Sequence, residues 1–226
     1  MSLVKRWLSR LPLGAQQELK RLRFGAQIRR GAFATDEAEY GRLAEWVAAG
    51  DWVIDAGANV GHYTCRLSQL VGPTGRVLAF EPVPRTFELL AANVAALPDS
   101  NVTLFNAAVS EEVAEPRMTM PPFETGLANY YQASIGDHGR GGGEPFAVLS
   151  LPVDHLGIPR RVSLVKVDVE GHEPFALRGM RKLLERDHPV LIVEGRSEEV
   201  RGFLEGLGYS HEDTSGSPNR IFRPRA

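Results

Sequence analysis

Short apolar segments alternate with helix-forming segments from residue 36 onward, and this alternation restricts the fold more than any other feature of the chain. A last pair of short segments, near Tyr209 and at residues 220–222, predicts a terminal hairpin. Such alternation is typical of βαβ units. We therefore predict an α/β fold with a mainly parallel seven-stranded sheet, a C-terminal antiparallel hairpin and helices on both faces. Strands are expected at residues 52–55, 76–80, 101–105, 163–168 and 189–193, and helices at residues 36–49, 61–70, 84–96, 173–186 and 197–207.

Two segments depart from this rhythm. The first 31 residues carry eight Lys or Arg against one acid, Glu18, and their apolar residues recur at helical spacing. We expect a basic helical extension over residues 1–34, with two short helices broken near residues 12–14, and an α/β domain over residues 35–226. The extension is expected to pack through two apolar stripes, either on the domain or on a second copy of the chain in a homodimer. The first stripe contains Leu3, Trp7, Leu8 and Leu11, and the second contains Leu19, Leu22 and Ala26. The alternative role is contact with an anionic partner, substrate or membrane surface.

The second departure is an insertion at about residues 110–152, which is rich in Pro and Gly and contains Tyr130 and Tyr131. Long irregular insertions in α/β domains often form a lid or a substrate platform. The other interpretation is a variable surface loop.

Composition excludes several classes of protein. The net charge of -2 disfavours a protein built to bind nucleic acid. The single cysteine, Cys65, excludes an intrachain disulfide and a cysteine metal cage, and it is expected to be buried on a helix. Apolar runs stay well short of the roughly 20 residues that span a membrane, and the N-terminus becomes charged too early for a signal peptide. These features favour a cytoplasmic protein without a transmembrane segment.

The sharpest local signal is a glycine turn after the first strand. The strand ends in Asp55, and the turn that follows contains Gly57, Asn59 and Gly61. The glycines let the backbone approach a ligand closely. The dinucleotide pattern G-x-G-x-x-G fails, because Asn59 and His62 occupy its second and third glycine positions. An acid before the first glycine suits the cationic amino group and sulfonium of S-adenosylmethionine (SAM) better than a pyrophosphate.

A second acid, Glu81, ends the next strand 20 residues after Gly61. A carboxylate at this position can accept hydrogen bonds from both hydroxyls of a ribose. The glycine turn and Glu81 together predict a nucleoside-containing cofactor.

Three segments together resemble the FkbM-type methyltransferases: residues 55–61, residues 80–82 (Phe-Glu-Pro) and residues 165–173 (Val-Lys-Val-Asp-Val-Glu-Gly-His-Glu). The resemblance covers about residues 50–208 and implies a Rossmann-like class I methyltransferase fold that uses SAM. We therefore assign the methyltransferase domain to residues 35–226. The resemblance also implies transfer of a methyl group to a hydroxyl of a sugar or natural product. Pro82 belongs to the second motif, and the resemblance places Asn106 and Ala107 near the adenine.

The third motif and the following strand end supply the candidate catalytic groups. Methyl transfer to oxygen requires an aligned hydroxyl and a proton acceptor. Asp168 is expected beside the cofactor, Glu194 ends the neighbouring strand, and His172 lies at a helix start. Asp168 and Glu194 could act as a general base or bind a divalent metal. Because no third ligand has a firm spacing, we predict no essential metal. Lys166 is interpreted as an ion-pair partner, and Glu173 as a charge at a helix N-terminus.

The function expected from the sequence is methylation of a small-molecule or sugar-like acceptor. The alternative is an RNA or protein methyltransferase that holds its substrate with the basic N-terminus, although no RNA-binding motif is evident. A SAM-binding scaffold without chemistry is a third hypothesis, and the acids at the strand ends argue against it.

Overall fold

A computed structural model describes residues 11–119, 134–135 and 145–225. The strands are β1 Trp52–Ala56, β2 Arg76–Phe80, β3 Val102–Phe105, β4 Ala108–Val109, β5 Arg117–Thr119, β6 Ser134–Ile135, β7 Phe146–Ala147, β8 Ser150–Leu151, β9 Val162–Val167, β10 Val190–Glu194, β11 Tyr209–Asp213 and β12 Asn219–Pro224. The α-helices are α1 Leu13–Arg29, α2 His62–Val71, α3 Pro84–Val94, α4 Glu173–Arg178, α5 Arg181–Asp187 and α6 Glu198–Gly206, with 3-10 helices at Ala38–Glu45 and Val153–Leu156.

A seven-stranded sheet in the order β11-β12-β10-β9-β1-β2-β3 forms the centre of the fold. Neighbours from β10 to β3 run parallel, and β12 pairs antiparallel with both β10 and β11. The predicted parallel sheet with a C-terminal antiparallel hairpin is therefore confirmed. After β1 the chain builds outward through β2 and β3 and then returns to place β9 on the other side of β1. The carboxyl ends of β1 and β9 therefore meet at a topological switch point, where open α/β sheets bind ligands.

Apolar residues cover both faces of the sheet, so its central strands are buried on both sides. Val53 packs in a cluster with the helices α2 and α3, and the next residue, Ile54, packs in the cluster that contains Leu177 of α4 and Leu204 of α6. Successive residues of a strand point to opposite faces. This arrangement confirms the predicted helices on both sides of the sheet, and Cys65 is buried on α2 as expected.

Two predicted helices have a different form. Residues 36–49 hold a 3-10 helix at Ala38–Glu45, where the completely buried Glu39 bonds to Tyr63, Ser217 and Asn219. These long-range bonds fix a tight turn that the local pattern does not encode. The helix predicted at residues 173–186 is divided between α4 and α5. A Cβ at Gly179 would lie 1.9 Å from the carbonyl oxygen of Ser110, so the backbones touch at the break.

The N-terminal extension packs through a different face from the predicted one. Residues 13–29 form one helix, α1, and the first predicted helix and its stripe lie largely outside the described residues. Phe24 packs with Phe33, at a ring distance of 5.3 Å, and Gln17 bonds to Glu88 of α3. Leu19 and Leu22 do not pack on the domain, because they are 43% and 58% exposed, and their packing on a second copy stays a prediction. The helix has a second apolar face, on which Phe24 and Ile28 are partly buried against the cluster that contains Phe33.

The insertion at residues 110–152 contributes short strands where it is described. β4 pairs with β8, and β5 pairs with β6 and β7. Tyr130 and Tyr131 lie outside the described residues. Among the described helices, none is both long enough and apolar enough to cross a membrane.

Candidate active site

The glycine turn after β1 approaches the end of β9 so closely that only glycine fits. Gly57 has a φ of 81°, and a Cβ there would lie 1.7 Å from the carbonyl oxygen of Asp168. The amides of Gly57 and Ala58 both donate to the carbonyl oxygen of Phe80, at 3.0 and 2.8 Å. The turn is therefore tied to the ends of both neighbouring strands. Gly61, with a φ of 95°, is the N-cap of α2, and a Cβ there would lie 2.7 Å from Cδ1 of Leu90.

Glu81 joins the turn to the end of β2. Its Oε2 accepts from the backbone amide of Asn59 at 2.9 Å, and its Oε1 accepts from the amide of Val83 at 2.8 Å. Burial raises the pKa of Glu81 to about 7, against the lowering effect of these two bonds. Nδ2 of Asn106 donates to the carbonyl oxygens of Glu81 and Pro82, and these bonds hold the loop that follows β2.

A cavity of about 290 Å³ opens at these strand ends. Most of the residues predicted for the site line it: Gly57, Asn59, Glu81, Pro82, Ala107, Asp168, His172 and Glu194. A second cavity of about 360 Å³ is lined by Asp55 and Lys166 and shares Glu37, Gly57, Asn59 and Asp168 with the first. Gly61 and Asn106 line neither cavity. Gly61 instead precedes α2, and Asn106 bonds to the loop after β2, so their predicted roles in cofactor binding stay predictions.

A buried ion pair fixes Asp168 between the two cavities. Lys166 is only 2% exposed. Its Nζ lies 2.6 Å from Oδ2 of Asp168 and 4.6 Å from the centre of the Tyr63 ring. Burial alone would raise the pKa of Asp168, but the attraction of Lys166 and a hydrogen bond with Glu194 leave it below the usual value. Asp168 is therefore a carboxylate at neutral pH, and the pairing expected for Lys166 is observed.

Glu194 meets Asp168 across the ends of the adjacent parallel strands β10 and β9. Burial raises the pKa of Glu194 to about 8, and its hydrogen bond with the Asp168 carboxylate adds to the effect. Two close carboxyl groups hold one proton between them because both cannot ionise easily. At neutral pH that proton resides on Glu194. The sequence expectation that these two groups converge agrees with this geometry.

Glu170 adds a third carboxylate to the pair. Oxygen atoms of Asp168, Glu170 and Glu194 all lie within 4.8 Å of one another. Glu170 is exposed at the cavity rim, and partial loss of its hydration together with the charges of Asp168 and Glu173 raises its pKa to about 7. Carboxylate oxygens are the ligands that Mg²⁺ and Ca²⁺ prefer. Sequence spacing indicated two possible metal ligands, Asp168 and Glu194, and the structure adds Glu170 as a third.

His172 lies at the start of α4 and lines the main cavity. Its Nε2 is 3.0 Å from Oγ of Ser110, and its ring stacks on Phe175 at 4.6 Å. Burial lowers the pKa of His172, so the ring is neutral at pH 7. The neighbouring Glu173 accepts from the amides of Val169 and Gly171 at 3.2 and 3.1 Å, which supports its predicted structural role.

Glu37 is a cavity residue that sequence reasoning missed. It lines both cavities, and its Oε2 accepts from the Tyr63 hydroxyl at 2.5 Å and from Nδ2 of Asn219 at 3.1 Å. Nothing local marks it, because it precedes the first strand and reaches the site only through the tertiary fold. Ser110 and Met118, from the start of the insertion, were also missed, and Met118 lines the main cavity with Val83 and Val109.

Comparisons with known proteins identify the family of this chain. A family model for the FkbM methyltransferase domain matches residues 55–210. Methyltransferase 1 of Beauveria bassiana is 30% identical over 145 residues, covering 57% of this chain and 58% of that protein. The hexuronic acid methyltransferase AglP of Haloferax volcanii is 28% identical over 153 residues, covering 66% of this chain and 58% of that protein. The chain thus spans a little over half the length of each.

The fold is also found in a solved structure. The crystal structure of methyltransferase FkbM from Methylobacillus flagellatus aligns with a TM-score of 0.57 at 17% identity, covering 97% of this chain and 57% of that one. FkbM methyltransferases use SAM. Because the family model extends over most of the α/β domain, including the glycine turn and the Asp168 motif, the chain belongs to the FkbM methyltransferase family.

Proposed function

We propose that this protein transfers the methyl group of SAM to a hydroxyl of a sugar-like or other small acceptor. The observation that carries the proposal is the Asp168–Glu194 pair, which lines the same cavity as Gly57 and Glu81. A proton acceptor and a cofactor turn thereby line one cavity. Such an arrangement can hold an acceptor in line with the reacting carbon.

The residues present fit SAM. Gly57 has no side chain, and a Cβ there would collide with the backbone of Asp168. Because the backbone of the turn is uncovered at this position, a ligand can approach it closely. Glu81 uses one lone pair of each oxygen on Asn59 and Val83, which leaves acceptor capacity for ribose hydroxyls. Oδ1 of the buried Asp55 has no partner among the described residues and suits the amino group. Bound SAM supplies a methyl group activated by its sulfonium.

The carboxyl pair is suited to accept the acceptor's proton. Asp168 is held as a carboxylate by Lys166, and Glu194 gives up the shared proton near a pH of about 8. Above that pH the pair carries two negative charges and is a stronger base than an isolated carboxylate. Neutral His172, bound to Ser110, is the alternative base on the same cavity wall.

A sugar hydroxyl is the acceptor that we favour. One relative is a hexuronic acid methyltransferase, and the cavity wall offers carboxyl groups at Glu170 and Glu194 that can orient hydroxyl groups by hydrogen bonding. The Asp168 carboxylate on the same wall repels an anionic group. A neutral sugar hydroxyl therefore fits this wall better than the carboxylate of a uronic acid.

The test is methyl transfer from tritiated SAM to a panel that includes neutral hexoses, hexuronates, nucleotide-linked sugars, RNA and protein. We expect label in a sugar product that resists mild alkali, as an ether does and a methyl ester does not. The Asp168→Asn/Glu194→Gln double variant, with SAM binding verified, is the inactive control. Label that enters RNA or protein alone would show that the basic N-terminus serves a macromolecular substrate instead.

A further inference from the structure

One face of the helix α1 is apolar and is not covered by the rest of the described structure. Leu19 is 43% exposed and Leu22 is 58% exposed, and Ala15 on the same side is exposed as well. Residues at spacings of three and four share one side of a helix, so these side chains form a stripe, here called the α1 stripe. Phe24 and Ile28 occupy the other side and pack on the domain. The α1 stripe is therefore the surface that this helix leaves open to a partner.

Arginines border the α1 stripe on both sides. Successive residues are about 100° apart around a helix, which places Arg23 on one side of the stripe and Arg29 on the other. Arg30 follows at the end of α1. All three are exposed, and within the described part of the chain none of them pairs with an acid. The single acid of the first 31 residues, Glu18, is already bonded to Arg21 at 2.6 Å, so it does not offset this charge.

Exposed leucines between arginines fit the surface of an anionic bilayer. Helices that lie in the lipid interface bury an apolar stripe among the headgroups, while flanking Lys and Arg side chains contact lipid phosphates. The first ten residues of the sequence add three more cations and no acid: Lys5, Arg6 and Arg10. The α1 stripe is small, so most of the attraction is expected to come from charge.

Two other partners fit the α1 stripe less well. Two leucines offer far less area than the roughly 800 Å² that each partner of a stable dimer buries. Contact between the α1 helices of two copies would also bring their arginines together. RNA-binding surfaces present aromatic side chains on which bases stack, whereas the large apolar side chains exposed on α1 are Leu19 and Leu22.

The helix α1 lies at the end of the sheet that holds the cavities. Nε2 of Gln17 donates to the carbonyl oxygen of Arg85 in the first turn of α3, at 3.1 Å. The ring of Phe24 lies 6.3 Å from the ring of His62, which is the first residue of α2 and lines the second cavity. Both helices begin shortly after the carboxyl ends of β1 and β2. A surface bound to α1 therefore lies at the same end of the molecule as the candidate active site.

We propose that the exposed face of α1 docks this protein on anionic lipid bilayers. Leu19 and Leu22 insert among the headgroups, and Arg23, Arg29 and Arg30 contact the lipid phosphates. Docking in this way holds the cavities close to acceptors that are displayed at a membrane surface. The contact itself requires neither SAM nor an acceptor, so it stands or falls independently of the proposed reaction.

Sedimentation of the full chain with unilamellar vesicles, in the absence of SAM, tests the docking. Vesicles made of equal parts of phosphatidylcholine and phosphatidylglycerol should bind the protein. Vesicles of phosphatidylcholine alone should bind it at least about tenfold more weakly, because they lack net charge. Added salt should weaken the binding to the anionic vesicles, because mobile ions screen the attraction. Equal binding to both kinds of vesicle, or binding to neither, would overturn the inference.

Charge variants assign the binding to α1. Arg23→Gln/Arg29→Gln should lower the affinity for the anionic vesicles roughly 30-fold, since each cation near an anionic surface contributes to the attraction. Arg160→Gln/Lys182→Gln removes the same charge and is the matched control. Both of these residues are exposed, and Lys182 belongs to α5, which packs on the opposite face of the sheet from α2 and α3. The control should change the affinity by less than about twofold, and an equal loss in both double variants would refute docking through α1.

Leucine variants separate the bilayer from the other two partners. Leu19→Gln/Leu22→Gln should lower the affinity for the anionic vesicles roughly tenfold. An unchanged Tm shows that this variant is folded, as expected for substitutions on an exposed face. A wild-type dimer that this variant converts to a monomer, without vesicle binding, would assign the α1 stripe to a second copy and overturn the proposal. Retention of RNA by the wild type, without vesicle binding, would overturn it in favour of nucleic acid.

Discussion

The ammonium of Lys166 lies 2.6 Å from the carboxylate of Asp168, and the two side chains come from the same strand end, two residues apart. Alternate residues of a strand share one face, which brings both side chains to the same cavity wall. The pair decides where the neighbouring proton resides. Because Lys166 stabilises the charged form of Asp168, the proton shared between the two carboxyl groups is held by Glu194.

This distribution predicts a rise in methyl transfer with pH. The pKa of Glu194 is raised to about 8, so below that pH Glu194 is protonated and cannot accept the acceptor's proton. Above that pH Glu194 is deprotonated and can act as the base. The rate of the chemical step should increase through that region and then level off. Single-turnover rates between pH 6 and pH 9.5 measure it. Glu194→Gln should flatten the rise, and a wild-type profile that is already flat would exclude the pair as the base.

Removing the buried lysine should destabilise the fold. Lys166→Met leaves Asp168 and Asp55 without their cation in a buried site, and breaking such a pair costs about 3–5 kcal/mol. Urea denaturation measures the loss of unfolding free energy. The double variant Lys166→Met/Asp168→Asn should recover part of it, because the isolated negative charge is gone. A loss of less than about 1 kcal/mol in the single variant would place the pair among weak surface contacts.

The sequence predicted the elements that depend on local pattern. Strand β2 has the predicted bounds, and Asp168 and Glu194 meet because the ends of parallel strands share one edge of the sheet. The link between the glycine turn and Glu81 follows from the same rule. Glu37 could not be predicted, because only the three-dimensional path of the chain brings it to the cavity. The outward position of Leu22 likewise reflects competition between two apolar faces of one helix.

Glu81 should be needed for cofactor affinity. Glu81→Ala removes a carboxylate that also holds the amides of Asn59 and Val83, and we expect cofactor binding to weaken by about 1–3 kcal/mol. Thermal shift with S-adenosylhomocysteine measures the effect, since a ligand that binds only the folded state raises Tm. NAD should leave Tm unchanged. Stabilisation by NAD without stabilisation by S-adenosylhomocysteine would contradict the assigned cofactor.

The turn offers a test of the close approach at Gly57. Gly57→Ala combines a left-handed φ of 81° with a Cβ that would lie 1.7 Å from the Asp168 carbonyl oxygen. Gly171→Ala is a matched control, because Gly171 has a φ of 92° and no atom within 4 Å of the added Cβ. The control should cost about 1–2 kcal/mol of backbone strain. Gly57→Ala should cost more and also impair cofactor binding, and equal costs would refute the steric argument.

The last prediction separates base catalysis from metal catalysis at the carboxylate group. Oxygens of Asp168, Glu170 and Glu194 converge within 4.8 Å, a donor set that a divalent cation accepts. The ammonium of Lys166, however, already bonds Oδ2 of Asp168. Glu194 is protonated at neutral pH, so its carboxyl group is a poor ligand for a cation. Both effects compete with a cation. We therefore expect methyl transfer to survive EDTA with little change.

Substitutions make the distinction sharper. General-base catalysis contributes roughly 10²–10⁴-fold in rate, so Asp168→Asn and Glu194→Gln should each lose activity by an amount in this range. Glu170→Gln, which removes the third oxygen donor but neither member of the base pair, should retain most of the rate. The comparison uses enzyme treated with EDTA and then supplied with magnesium. Abolition by EDTA, rescue by magnesium and an equally severe loss in Glu170→Gln would together identify a metal site, whereas full rates in both pair variants with a loss in His172→Ala would make the histidine the base.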